Sequence, residues 1–120
     1  MRQESEVELV QAWLGEFAAL VGWDEALEIW RLFLDTAPAN LRAIEDAIRA
    51  GDVQRLKRAA HALKGASANL RAEHASGLCR RLEELAEAGD FANARAVYTQ
   101  LEELLRRLAE AEVASPPKPA

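Results

Sequence analysis

Cysteine is almost missing from this sequence, with Cys79 its single example. One cysteine forms no internal disulfide and is too few for a zinc site. Proline and glycine are scarce: 4 and 6 among 120 residues, with three of the prolines in the last five positions. Aromatic residues make up only 6%. No apolar run approaches the roughly 18 residues of a membrane span, so no membrane segment is expected. No basic n-region precedes an apolar h-region, so no secretory signal is expected. Positive charge is not in excess either. The 15 Lys+Arg stand against 20 Asp+Glu, a net charge of -5, whereas a nucleic-acid binder needs a basic face. Neither G-x-x-x-x-G-K-[ST] nor G-x-G-x-x-G occurs, so no nucleotide-phosphate cradle is visible. H-E-x-x-H is missing, and His61 and His74 keep no metal-ligand spacing with Cys79, so no metal or cofactor is expected. These absences leave a small acidic domain of the reducing cytoplasm.

What is present is helical. Half of the chain (50%) is hydrophobic, too much for a disordered sequence. A length of 120 residues suits one domain, with an expected radius of gyration of roughly 14 Å. Ala, Leu, Glu and Arg dominate, all strong helix formers. Gly22-Trp23-Asp24, Gly51-Asp52 and Gly89-Asp90 each read as one device. Glycine suits the left-handed position past a helix end, and aspartate caps the helix that follows.

Five helices are predicted between these marks. The first runs from about Ser5 to Leu20 on a stripe of Val7, Val10, Leu14, Phe17 and Val21. The second follows Asp24 to about Ala50 on Leu27, Trp30, Leu34, Ala37, Leu41, Ile44 and Ile48, with Pro38 expected to bend or split it. The third spans Asp52 to about Leu70, with Val53, Leu56, Ala60, Leu63, Ser67 and Leu70 facing inward. The fourth covers about Glu73 to Ala88 on Ala75, Leu78, Leu82 and Leu85. The fifth runs from Asp90 to about Val113 on Phe91, Ala94, Tyr98, Leu101, Leu105 and Leu108. Short loops between long amphipathic helices favour antiparallel neighbours. The expected fold is all-α, an antiparallel up-down four-helix bundle with an additional N-terminal helix. Residues 1–113 form the domain, and 114–120 read as a Pro-rich disordered tail or linker stub.

The informative stretch is Arg58-Ala59-Ala60-His61-Ala62-Leu63-Lys64-Gly65-Ala66-Ser67-Ala68-Asn69-Leu70. At about 100° per residue, His61 lies roughly 130° from the core direction set by Val53, Leu56, Ala60 and Leu63. It is therefore expected on the surface. Lys64 stands at i+3, Gly65 at i+4, and Ala68 nearly in line with the imidazole. A glycine inside a helix costs about 1 kcal/mol against alanine, and on this outward side packing does not require it. It keeps the space beside His61 clear. Lys64 is placed to reach an anion bound on the imidazole, and Lys57 and Arg58 add charge behind it. A basic surface around one unobstructed histidine is expected within an acidic protein.

That constellation suits phosphoryl transfer. Free imidazole has a pKa of about 6.5, so a neutral nucleophile exists at pH 7. Nearby cations favour the neutral form and stabilise the dianion after transfer. Phosphoryl transfer needs positioning and charge stabilisation above all.

These residues resemble a known family. His61-Ala62-Leu63-Lys64-Gly65-Ala66-Ser67-Ala68-Asn69-Leu70 is similar to the signature of histidine-containing phosphotransfer (HPt) domains, which relay phosphoryl groups in multistep two-component signalling. Phe33-Leu34-Asp35-Thr36-Ala37-Pro38 resembles the helix before the motif, and Leu78-Cys79-Arg80-Arg81-Leu82-Glu83 the helix after it. The likeness covers roughly residues 5 to 110 and is nearer to relay domains than to the chemotaxis-kinase version. It implies that His61 is the phosphoacceptor, that Lys64 assists electrostatically and that Gly65 gives access. It implies receiver domains or a hybrid histidine kinase as partners, with Mg²⁺ on the receiver, and an HPt domain that is itself not an enzyme and binds neither ATP nor metal. Lys57, Arg58, Ala68 and Arg71 are the candidate docking residues, and a monomer is expected.

Two positions depart from the family pattern. Arg71-Ala72 stands where Gly-Ala commonly closes the motif helix, and arginine in a left-handed cap is costly, so a different turn or a longer helix is expected. Ala75 replaces a larger apolar residue, which allows closer helix packing. Ser67 is expected to pack in the core and bond back to a carbonyl. Asn69 is expected at the surface, His74 as a bystander, Cys79 as a small buried hydrophobe, and Trp13, Trp23 and Trp30 as inter-helix anchors. Two other readings stand beside the phosphocarrier: a non-catalytic helical adaptor that binds a receiver or kinase, and an HPt domain excised from a hybrid sensor kinase.

Overall fold

The computed structural model describes residues 6–110. Five helices occupy almost all of that span: α1 Glu6–Val21, α2 Trp23–Ala50, α3 Val53–Asn69, α4 Glu73–Glu87 and α5 Phe91–Glu110. Helices α2 to α5 form a ring in which each packs on the next and α5 returns to α2. The connections are short, so neighbours run antiparallel. This is the expected up-down bundle. Helix α1 lies outside it, mainly against α2 and partly against α5. The bounds Ser5 and Val113 and the tail 114–120 fall outside the described residues.

Helix α2 has 28 residues against 17, 15 and 20 for α3, α4 and α5. At 1.5 Å per residue it reaches about 42 Å and overshoots its bundle neighbours. Helix α1 shields the overshoot, with Val10, Leu14 and Ala18 buried toward Ala26, Trp30 and Phe33. The hairpin lengthens the molecule to 51 × 33 × 20 Å, with a radius of gyration of 15.2 Å. Val21, assigned to the α1 stripe from spacing, is exposed instead. It stands at the last turn of the helix, where the partner face has ended. Helix α2 is unbroken through Pro38. The ring of Pro38 removes one N–H from the ladder, and the surrounding turns carry the helix on without a split.

Two of the three glycine–aspartate devices form as read. Gly51 ends α2 in the left-handed conformation, and Asp52 caps α3 by accepting from the Arg55 N–H at 3.1 Å. Gly89 takes φ 69°, and Asp90 accepts from the Asn93 N–H at 3.1 Å. The first device differs. Helix α2 already starts at Trp23, with Gly22 as its N-cap. Asp24 lies inside the first turn, where its charge still complements the helix dipole.

Helix α4 has no side-chain cap of its own, because Ala72 precedes it. Glu6 of α1 fills the role from across the fold. Its carboxylate accepts from the His74 N–H at 3.1 Å and the Ala75 N–H at 2.6 Å. An acid is favoured here by the open N–H groups and the positive end of the helix. Glu6 is buried.

The core follows the predicted seams. Trp30, Ile44, Leu56, Ala60, Leu63, Leu82, Leu101 and Leu108 are buried, as are Ser67 and Cys79. Burial also pushes the Cys79 thiol up to about 12, with the Glu83 carboxylate adding to the shift. Trp13 stacks on Phe17 with ring centroids 5.2 Å apart. The hydroxyl of Ser67 is correctly placed inside, but it makes no hydrogen bond, so the expected bond back to a carbonyl is absent.

Candidate functional site

His61 stands on the outer side of α3, with its side chain 71% exposed. The buried seam of Leu56, Ala60 and Leu63 faces away from it, as their spacing predicts. The surprise lies on α4. Glu83 presents its carboxylate between His61 and Lys64, with Oε2 3.5 Å from His61 Nδ1 and Oε1 2.7 Å from Lys64 Nζ. The Lys64 contact is an ion pair without aligned hydrogen-bond geometry. One turn toward the start of α3, Lys57 pairs with Glu87 at 2.6 Å. The antiparallel pairing of α3 with α4 puts these pairs on successive rungs.

The expected basic surface therefore needs correction. Lys57 and Lys64 are both matched by glutamates of α4, and a carboxylate rather than a bare field of cations adjoins the imidazole. Arg58 is exposed and makes no ion pair among the described residues. Sequence spacing along one helix could not supply this, since Glu83 and Glu87 arrive from another. The usable signal was there, because Leu82 and Leu85 fix the inward face of α4 and leave Glu83 at its edge.

Chemically, Glu83 gives the ring a direction. A carboxylate beside Nδ1 favours the tautomer with hydrogen on Nδ1. Nε2 is then the nitrogen with the free lone pair, on a ring open to solvent. Gly65 leaves the neighbouring surface clear: a methyl group built there would meet no atom within 4 Å. Ala68 continues this clear strip and is exposed.

The turn after the motif also departs from expectation. Arg71 takes φ 55°, the left-handed conformation. Its N–H donates to Ala68 O at 3.0 Å, and the Ala72 N–H donates to Ser67 O at 2.9 Å. Gly89 and Asp90 close α4 with the same pattern onto Ala86 O and Leu85 O. Arginine thus occupies the glycine place without changing the turn, and the helix does not run on. The side chain is exposed. His74 contributes its backbone N–H to Glu6, and Asn69 is exposed as expected.

Comparison with known proteins now decides the family. The Hpt domain family model matches residues 28–111. The chain belongs to the Hpt family. The match spans α2 to α5 and leaves α1 outside as the additional N-terminal helix. A solved structure of histidine-containing phosphotransfer protein B (HptB) from Pseudomonas aeruginosa PAO1 is similar, at 32% identity and a TM-score of 0.74. The alignment covers 82% of this chain and 84% of that one. No curated protein matches the chain. This Hpt domain is a histidine phosphotransfer protein of a two-component phosphorelay, and its partners are receiver domains and kinases. The adaptor without chemistry is not favoured. Among the described residues, no helix is long and apolar enough to cross a membrane, and no three His, Cys, Asp or Glu side chains cluster to hold a metal.

Proposed function

We propose that His61 is the residue that carries the phosphoryl group between receiver aspartates. The observation that carries this reading is the pose of the ring: 71% exposed, with Nδ1 turned toward Glu83 at 3.5 Å. In the accepting step, the Nε2 lone pair attacks phosphorus of the receiver's acyl phosphate. The N–P bond forms as the bond from phosphorus to the aspartyl oxygen breaks, and the carboxylate leaves with the electron pair. The proton on Nδ1 stays in place. The ring gains positive character, which the Glu83 carboxylate offsets. Return of the phosphoryl group to an aspartate reverses each step.

Lys64 serves the phosphorylated state. Its ammonium lies on the Glu83 carboxylate and can swing to the new dianion. Gly65 lets the partner's active-site edge approach the ring. This division leaves the chain's own residues without nucleotide or metal to hold, and the Mg²⁺ belongs to the receiver. A phosphocarrier acting as a monomer in the cytoplasm fits the composition, and residues 1–113 are the functional unit.

The test is phosphate uptake from a labelled phospho-receiver. The wild-type chain is expected to acquire an acid-labile, base-stable label. His61→Gln is expected to acquire none, and equal uptake by both would remove the assignment.

A further inference from the structure

We propose that Glu6 is a positioning residue for phosphotransfer: by capping α4 from α1, it holds α4 in the register that sets Glu83 against His61 and Lys64. The inference rests on the reading of His61 and Glu83 above and extends it to an element outside the site. The Hpt model begins at residue 28, so α1 is not part of what family membership accounts for.

Helices α3 and α5 are capped by their own neighbours in the chain, Asp52 and Asp90. Helix α4 is not. Ala72 stands before it, and its methyl group accepts no hydrogen bond. The His74 and Ala75 N–H groups donate instead to the two carboxylate oxygens of Glu6, at 3.1 and 2.6 Å. Glu6 is buried, and a carboxylate leaves water only at a cost that hydrogen bonds must offset. Both of its oxygens are taken up by α4.

The backbone leading into α4 needs such a hold. Only Leu70, Arg71 and Ala72 join it to α3, and Arg71 takes φ 55°, a conformation unfavourable for a residue with a side chain. A strained backbone persists where its surroundings over-determine it. Bonds from Arg71 and Ala72 back to α3 fix one side of this turn. Glu6 fixes the other, and Ala72 and Ala75 are buried there.

The link from this turn to the site is the helix itself. From Ala75 to Glu83, α4 rises about 12 Å, and its intrahelical bonds carry a shift or rotation of the first turn along the axis. Glu83 is sensitive to such a shift. Its Oε1 is shielded from solvent, makes no hydrogen bond and meets the Lys64 ammonium at 2.7 Å, while Oε2 lies 3.5 Å from His61 Nδ1. Displacements on the order of 1 Å alter reactive geometry strongly. Gly77 stands between the cap and the site, where it lowers the cost of unwinding the turn before it. Without the Glu6 carboxylate, fraying of the first turn reaches Gly77, within about 9 Å of Glu83 along the helix.

The test is a double-mutant cycle. Single-turnover transfer from a labelled phospho-receiver is measured on Glu6→Ala, on Glu83→Gln and on the chain carrying both, well below their melting temperatures. Glu6→Ala is expected to lower the maximal rate about fivefold, with the half-saturating receiver concentration unchanged. In the Glu83→Gln background the same change is expected to cost less than twofold. The ¹⁵N spectrum of His61 is the second readout, in which Glu6→Ala is expected to raise the share of the tautomer with hydrogen on Nε2. Glu6→Gln keeps the shape of the side chain and one acceptor oxygen, and a two- to threefold loss of rate is expected in the same cycle. Ile48→Val, a core deletion on α2, lowers Tm comparably and is expected to leave rate and tautomer unchanged. Wild-type rates and tautomer in both Glu6 variants would overturn the proposal. So would equal losses with and without the Glu83 carboxylate, which would reveal only a general loss of stability. A wild-type rate for Glu83→Gln alone, or phosphate uptake by His61→Gln, would instead remove the reading of the site on which the proposal stands.

Discussion

At His61 the helix presents an exposed imidazole, and Glu83 of the neighbouring helix brings its carboxylate to 3.5 Å from Nδ1. Glu83 also pairs with Lys64 at 2.7 Å, so one carboxylate adjoins both side chains. Glu83→Gln keeps the shape and removes the charge. It is expected to slow phosphotransfer about tenfold, roughly 1.4 kcal/mol in the barrier, with receiver affinity unchanged. Single-turnover rates across receiver concentrations separate the two. Beneath the site, Cys79 provides a pH signature. Its folded pKa lies near 12, above the ordinary 9.0. Below about pH 9 the thiol is protonated in both states, and its contribution to stability is complete. As the pH climbs toward 12 the unfolded chain loses the proton first, so stability falls. Tyr98, raised from 10.0 to about 12 chiefly by burial, adds in the same direction. Cys79→Ala is expected to reduce the drop in Tm between pH 8 and pH 10, as thermal melts would record.

At the scale of elements, the helices were largely legible in the sequence. Leu56, Ala60 and Leu63 gave α3 its inward direction, and the same reckoning placed His61 outside. Gly51-Asp52 and Gly89-Asp90 marked real boundaries because each residue satisfies a local need. What was not legible came from between elements. Glu83 and Glu87 approach α3 from α4, and Glu6 reaches α4 from α1, some 68 positions away in the chain. Periodicity speaks of one helix at a time and is blind to such pairs. The Arg71 turn was misjudged for a related reason. The Schellman bonds and the burial of Leu70 and Ala72 outweigh a local backbone penalty. The Glu6 contact has a direct consequence. Glu6→Ala would leave two N–H groups of α4 unmet, one of them buried, at a cost of about 1–2 kcal/mol. The expected fall in Tm is on the order of 5–10 °C, with α4's first turn losing hydrogen-exchange protection.

For the whole molecule, smallness is compatible with phosphoryl chemistry because the reaction is shared. The bundle supplies a rigid helix, the exposed imidazole of His61 and a carboxylate behind it, while the receiver contributes the leaving group. The net charge of -5 is distributed around the site, where Lys57 and Lys64 of α3 are answered by Glu87 and Glu83 of α4. The most direct measurement of the central claim is nuclear magnetic resonance of the phosphorylated, ¹⁵N-labelled chain, read through phosphorus–nitrogen coupling. The account expects coupling to Nε2 of His61 with hydrogen retained on Nδ1. Coupling to Nδ1 of His61, or to a nitrogen of His74, would contradict it.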